Sequence, residues 1–303
     1  MLRTDTVRKI LSWYEGETPG LKSNLSRLLM HGRLAGTGRV VILPVDQGFE
    51  HGPARSFAPN PAAYDPHYLY ELAIESGVSG YAAPLGLLEQ GADTFAGEVP
   101  TILKLNSGNS LASGSNDQAL TGTVEDALRL GCVGVGFTIY PGSDSAYDML
   151  EELREISLKA KSRGLMTVVW SYPRGGQVSK DGETGLDIIA YAAHMAALMG
   201  ATIIKVKLPT DFIDLAAAKS TYDKSPIAKT AADRVRHIMQ ASFAGKRLVV
   251  FSGGAAKTTE ELMAEVQGIR DGGGNGSIIG RNSFQRPKDE ALKLLDQVMS
   301  VYA

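Results

Sequence analysis

Short runs rich in Val, Ile, Leu and Thr alternate along the chain with longer stretches whose apolar positions recur every three or four residues. The first kind of run predicts strands, the second amphipathic helices. Strands are expected at residues 39–45, 80–83, 101–106, 133–139, 166–171, 202–208, 247–251 and 277–280. Helices are expected at 65–76, 85–90, 124–130, 145–162, 186–199, 227–241, 258–270 and 288–302. The last of these gathers Ala291, Leu294, Leu295, Val298, Met299 and Tyr302 on one face. Gly77, Gly131, Gly164, Gly200 and Gly245 stand between a helix and the next strand, where a left-handed residue ends a helix. Strands that read as nearly continuous apolar runs belong to a parallel sheet covered on both faces. The repeated strand–helix unit predicts an α/β fold, a single (β/α)8 TIM barrel, over an open doubly wound sheet. Residues 1–38 precede the first strand, and Val7, Ile10, Leu11 and Tyr14 give them an apolar helical face. A helical N-terminal extension (1–38) is therefore expected to cap the barrel bottom or meet another subunit, ahead of a barrel domain at 39–303.

Composition narrows the function classes. The chain has 303 residues, comfortable for one barrel of ~250. A formal net charge of −2 with dispersed basic residues argues against nucleic acid or an anionic membrane as the main partner. Cys132 is the sole cysteine, so an intrachain disulfide is excluded. It heads an apolar run and reads as a small buried hydrophobe, and the low cysteine content fits a reducing compartment. The first residues lack a signal-peptide core, and no apolar run approaches the ~20 residues of a membrane span. A soluble cytoplasmic protein is expected. No Gly-x-Gly-x-x-Gly follows the first strand, which removes the main support for a dinucleotide fold. His31, His51, His67, His194 and His237 have no metal-ligand spacing, so neither a metal nor another cofactor is expected. His194, inside a predicted helix, reads as structural.

The strongest chemical signal is Ile203-Ile204-Lys205-Val206-Lys207. Alternation puts Lys205 and Lys207 on one face of a strand, at the end of an otherwise apolar stripe. Poor solvation and a neighbouring cation both disfavour an ammonium, the setting in which a lysine becomes a nucleophile toward a carbonyl. An anionic partner, or a lysine snorkelling off the strand end, would place the pair equally well. In a barrel the active site lies where strands end. The first strand delivers Asp46 to a glycine-containing turn, as an acid–base group or merely as a turn residue. The third ends in Lys104-Leu105-Asn106, which offers polar groups. The fifth ends in Trp170-Ser171-Tyr172-Pro173-Arg174, with Trp170 and Tyr172 on one side. A tyrosine beside an amine can shuttle a proton, whereas Trp170 also suits plain core packing. Ser252-Gly253-Gly254 after the seventh strand and Gly280-Arg281-Asn282 after the eighth suit a phosphate site built from these two loops.

Taken in order, Leu43-Pro44-Val45-Asp46-Gln47-Gly48-Phe49-Glu50-His51, Lys104-Leu105-Asn106, Thr138-Ile139-Tyr140, Trp170-Ser171-Tyr172-Pro173-Arg174-Gly175-Gly176, Ile204-Lys205-Val206-Lys207, Ser252-Gly253-Gly254 and Gly280-Arg281-Asn282 resemble the archaeal-type class I fructose-bisphosphate aldolases, which also occur in bacteria. The resemblance runs from about residue 30 to the C-terminus. It implies a TIM barrel, a lysine Schiff base and no metal. It maps the Schiff base onto Lys205, with Lys207 as the neighbour that lowers its proton affinity. Proton transfer falls to Tyr172 and Asp46, Trp170 shapes the pocket, and Ser252, Gly253, Gly254, Gly280 and Arg281 hold phosphate. Gln47 departs from the histidine many relatives carry there, so no histidine role is assigned at 47. Arg174, Lys257 and Arg55 are candidates for the 6-phosphate. The implied reaction is reversible cleavage of fructose 1,6-bisphosphate to dihydroxyacetone phosphate and glyceraldehyde 3-phosphate by a homo-oligomer. The alternatives are a Schiff-base aldolase or transaldolase for another phosphorylated sugar, and a barrel that binds a phosphometabolite without covalent chemistry.

Overall fold

The computed structural model describes residues 2–112, 116–224, 229–252 and 257–303. Eight parallel strands close into a barrel in chain order: β1 (Val40–Pro44), β2 (Gly80–Pro84), β3 (Thr101–Lys104), β4 (Gly134–Ile139), β5 (Met166–Ser171), β6 (Ile203–Lys207), β7 (Leu248–Ser252) and β8 (Gly276–Ile278). Pairing of Val40 with Gly276 joins β1 to β8 and leaves no open edge. Two helices precede β1, α1 (Asp5–Ser12) and α2 (Pro19–Leu29). The strands are followed in turn by α3 (Pro66–Ser76), α4 (Leu85–Glu89), α5 (Val124–Arg129), α6 (Ala146–Ser162), α7 (Leu186–Leu198), α8 (Ala231–Ala241), α9 (Thr259–Asp271) and α10 (Lys288–Tyr302). The eight predicted strands and eight predicted helices are all present. Only α8 starts clearly later than its periodicity suggests, because Thr230 and Asp233 form a capping box that fixes its first turn at Ala231.

Alternation along each strand divides the core in two. Outward residues such as Val41, Leu103, Val135, Phe137, Val169, Val206 and Phe251 are buried beneath the ring of helices. Inward residues Ile42, Ile102, Val168, Ile203, Val250 and Ile278 form a second cluster that also contains Val7, Ile10, Leu11, Leu21, Leu25 and Leu28 of α1 and α2. The N-terminal helices thus plug one end of the barrel. Polar bonds fix that end as the start of the strands. The Tyr14 hydroxyl donates to the Thr202 carbonyl at 2.6 Å and accepts from the Leu248 amide at 3.2 Å. Asn24 donates to the Gly164 carbonyl at 2.8 Å. At the other end the interior turns polar within one step of alternation. Ile102 gives way to Lys104, Val168 to Trp170, Ile203 to Lys205 and Val250 to Ser252. No helix among the described residues is long and apolar enough to cross a membrane.

Candidate active site

Strand register assembles the site. Lys205 lies opposite Trp170 on β5 and Val250 on β7, and Lys207 lies opposite Ser252. The Lys205 residue is 4% exposed. Its Nζ sits 4.9 Å from the centre of the Trp170 ring and 5.5 Å from that of Tyr172, within the range at which a cation is drawn to a π face. Trp170 lies deep because β4 makes room for it. A Cβ on Gly136 would stand 2.7 Å from Cη2 of the indole and closer still to Cζ3. The indole Nε1 is buried and has no hydrogen-bond partner among the described residues.

Asp46 occupies the cap position of the short helix Gln47–His51, but its carboxylate makes no capping hydrogen bond. It lines a cavity of about 130 Å³ together with Tyr172, Lys205, Lys207, Ser252, Gly280 and Arg281. Expected site residues from five different strand ends therefore meet in one place. Trp170 joins Asp46 and Tyr172 in a small adjoining recess. Gly253 and Gly254 lie outside the described residues. Gly280 must be small, since a Cβ there would come within 2.8 Å of the Pro44 carbonyl and 3.1 Å of Gln47 Nε2.

Two lysines behave differently from the sequence reading. Lys207 donates to Glu183 Oε2 at 3.0 Å. Burial lowers its proton affinity and the Glu183 carboxylate opposes that change. Glu183 also accepts from Lys180. Although burial favours its acid form, these two hydrogen bonds hold it below the usual carboxylate range. The second amine that faces the Trp170 ring is instead Lys104 of β3, with Nζ 5.7 Å from the ring centre. Lys104 is 3% exposed, and burial pushes its pKa down to about 7, with Asp46 opposing and Lys205 assisting. The sequence contained the signal, since Ile102 and Lys104 alternate as Ile203 and Lys205 do.

Beside the cavity runs a wider cleft of about 450 Å³ that takes in Arg55, His51, Arg174, Asn109 and Gln118. Arg174 lies over the Tyr140 ring at 4.8 Å and 3.7 Å from Glu50. Burial lowers the His51 pKa; Glu50 raises it, and the cations Arg55 and Arg281 lower it further. Lys257, by contrast, pairs with Glu265 and faces another cavity, lined also by Arg234 and Lys207. Away from the site, His194 is bonded to the Ala241 carbonyl and stacked edge-on against Phe243, a structural role. Cys132 is buried and bonded by Thr101, and desolvation pushes its pKa up to about 11. It is the inert thiol expected.

A closed (β/α)8 barrel with a buried lysine between an indole, a phenol and a carboxylate has the architecture of a lyase that works through an amine. Residues 40–286 match the model of the DeoC/LacD family of aldolases, and the chain belongs to that family. It is 39% identical to the class 1 fructose-bisphosphate aldolase of Thermoproteus tenax, over 82% of this chain and 84% of that one. With the class 1 fructose-bisphosphate aldolase of Halobacterium salinarum it shares 36% identity over 82% and 85%. Among solved structures it superimposes, with a TM-score of 0.77 and 34% identity, on an archaeal fructose-1,6-bisphosphate aldolase. That overlap covers 92% of this chain and 99% of the other, whose catalytic lysine is covalently bound to the carbinolamine intermediate of its substrate.

Proposed function

We propose that the chain is a class I fructose-bisphosphate aldolase that cleaves fructose 1,6-bisphosphate reversibly through a Schiff base on Lys205. The observation that carries this reading is the burial of Lys205 against Trp170 and Tyr172, in a cavity that also takes in Asp46 and Arg281. Lys205 attacks the C2 ketone of the open-chain sugar, and loss of water leaves an iminium that draws electrons from C3. Asp46, free of any capping bond, moves the protons of the carbinolamine. After the C3–C4 bond breaks, Tyr172 reprotonates the enamine, and hydrolysis releases dihydroxyacetone phosphate. Trp170 gives the pocket its floor. Ser252, Gly280 and Arg281, with Gly253 and Gly254, hold the 1-phosphate, and Lys207 steadied by Glu183 adds charge at the mouth. Binding energy remote from the scissile bond then positions the reacting carbon.

The 6-phosphate is assigned to Arg174 and Arg55. Both line the cleft that opens beside the catalytic cavity, and Lys257 is engaged elsewhere. The same reading places the enzyme in the cytoplasm as a homo-oligomer. Exposed Tyr147 and Leu158 on α6, and Tyr191 and Leu198 on α7, offer apolar area for such a contact. The test is borohydride reduction in the presence of dihydroxyacetone phosphate, followed by peptide mass mapping with and without chelator. One ketose adduct per chain on Lys205, unaffected by chelator and lost in Lys205→Met, is expected. An adduct confined to Lys207 would overturn the lysine assignment, and no adduct on folded protein would overturn the mechanism.

A further inference from the structure

The scheme above leaves one proton without an owner, that of the C4 hydroxyl as the C3–C4 bond breaks. We propose that Lys104 is a second catalytic amine of this site, which takes that proton in cleavage and returns it in condensation. The inference rests on the aldolase reading and assigns the chemistry within it.

Four observations converge on Lys104. The first is placement: alternation on β3 turns it inward above Ile102, and it shares a recess with Asp46, Trp170 and Tyr172. Second, its partners are neutral. Nζ donates to the backbone carbonyl of Asn106 and, at 2.8 Å, to the Asn106 side-chain oxygen. Both acceptors belong to Asn106, so among the described residues no carboxylate is hydrogen-bonded to it, Asp46 acting only at longer range, and one of its three donor positions is left over. Third, the group that aims it is locked. Asn106 is fully buried, its amide nitrogen donates to the Thr138 carbonyl at 2.8 Å, and its oxygen accepts from the Thr138 amide at 2.7 Å. That pair of bonds to β4 fixes which end of the amide faces Lys104. Fourth, Lys104 and Lys205 look at the same indole, at 5.7 and 4.9 Å from its centre.

Burying an ammonium with only neutral hydrogen-bond partners is costly, and packing alone gives β3 no reason to carry one. Burial brings the pKa of Lys104 to about 7, so amine and ammonium are both at hand near neutrality, as an acid–base catalyst requires. The step balances. The Lys104 amine accepts the O4 proton, the O–H pair becomes the C4 carbonyl, the C3–C4 pair moves into the enamine, and the iminium nitrogen is neutralised. Lys104 leaves the step as an ammonium, ready to protonate the alkoxide in the reverse direction.

The test separates the C4 step from Schiff-base formation. Borohydride trapping of dihydroxyacetone phosphate, and exchange of its hydroxymethyl C–H with solvent, need the imine and enamine but no C4 hydroxyl. In Lys104→Met both are expected to stay within several-fold of the native enzyme, while cleavage of fructose 1,6-bisphosphate falls by about 10²–10⁴-fold. The native single-turnover cleavage rate is expected to rise with pH through about 7, and that limb to be absent from the residual activity of the variant. Should Lys104→Met fold poorly, Lys104→Cys provides the comparison. Aminoethylation of the new thiol in the unfolded chain, in a Cys132→Ala background that removes the sole native cysteine, restores an amine, and cleavage is expected to recover on refolding. Native-like cleavage in Lys104→Met, or parallel loss of trapping, exchange and cleavage, would overturn the assignment. Failure of the native enzyme itself to trap a ketose would instead overturn the aldolase reading on which it stands.

Discussion

Replacing Gly136 by alanine perturbs the site chiefly through Trp170, a residue not proposed to react. The new Cβ would lie 2.7 Å from Trp170 Cη2, and closer still to Cζ3. Carbon atoms are comfortable at about 3.5–4.0 Å, so the indole must retreat by roughly 1 Å. It has little room to do so: Trp170 is 2% exposed, and the Lys104 stem borders the same space at 3.5 Å from the built Cβ. Overpacking of this kind costs about 1–3 kcal/mol, which thermal unfolding would register as a fall of several degrees for a domain this large. The effect on rate is expected to exceed the effect on stability. The displaced ring carries the π face that Lys205 Nζ meets at 4.9 Å, and an error of ~1 Å in positioning can cost about 10²-fold. The assay pairs thermal unfolding with coupled measurement of sugar bisphosphate cleavage, and repeats both in a Trp170→Phe background. Phenylalanine vacates the space, so alanine at 136 should cost less there, with a coupling of about 0.5–3 kcal/mol. Equal cost in the two backgrounds, or native kcat and Tm in Gly136→Ala, would refute the reasoning.

Tyr14→Phe removes the hydroxyl that serves the Thr202 carbonyl and the Leu248 amide. Two buried backbone groups lose their partner, at a cost of about 1–3 kcal/mol, read as a lower denaturation midpoint with one ketose still trapped per folded chain. Lys104 also gives stability a pH dependence whose sign is fixed. Its pKa in the folded chain, about 7, lies below the ordinary 10.5, so between these values the unfolded chain binds more protons and stability rises with pH. At ~1.4 kcal/mol per pKa unit the full cost is on the order of 5 kcal/mol. Lys104→Met should therefore gain most over the native protein near pH 6 and progressively less toward pH 9, measured by urea unfolding; an equal gain at both would sink the idea.

Fold and site were legible in the sequence to different depths. Short, nearly continuous apolar runs set between amphipathic stretches located every barrel strand, because a parallel strand covered on both faces has few other ways to be written. The capping boxes at Thr123–Asp126, Thr230–Asp233 and Thr258–Glu261 were equally local, and the middle one would have corrected the start of α8. The small antiparallel pair of Asn106–Ser107 with Ala119–Leu120 was not, since nothing in either two-residue segment marks it out. At the site, Lys205, Trp170, Tyr172 and Asp46 could be read because strand ends in a barrel converge. Glu183 could not, because it reaches Lys207 from a loop 24 residues earlier, a contact made only in three dimensions. Lys104 was visible but passed over. One lysine at a strand end is ordinary, and its weight emerges only when Asn106 and Trp170 are seen around it.

With α1 and α2 sealing the start of the strands and the aliphatic layers of Ile102, Val168, Ile203 and Val250 filling the middle, the described residues make the barrel a vessel with one doorway. Water, sugar and both triose fragments pass the same polar rim. The half of the sugar tethered at the floor cannot leave before the untethered half has cleared the way. The order of product release is then a matter of plumbing, set by where the chain put its stopper.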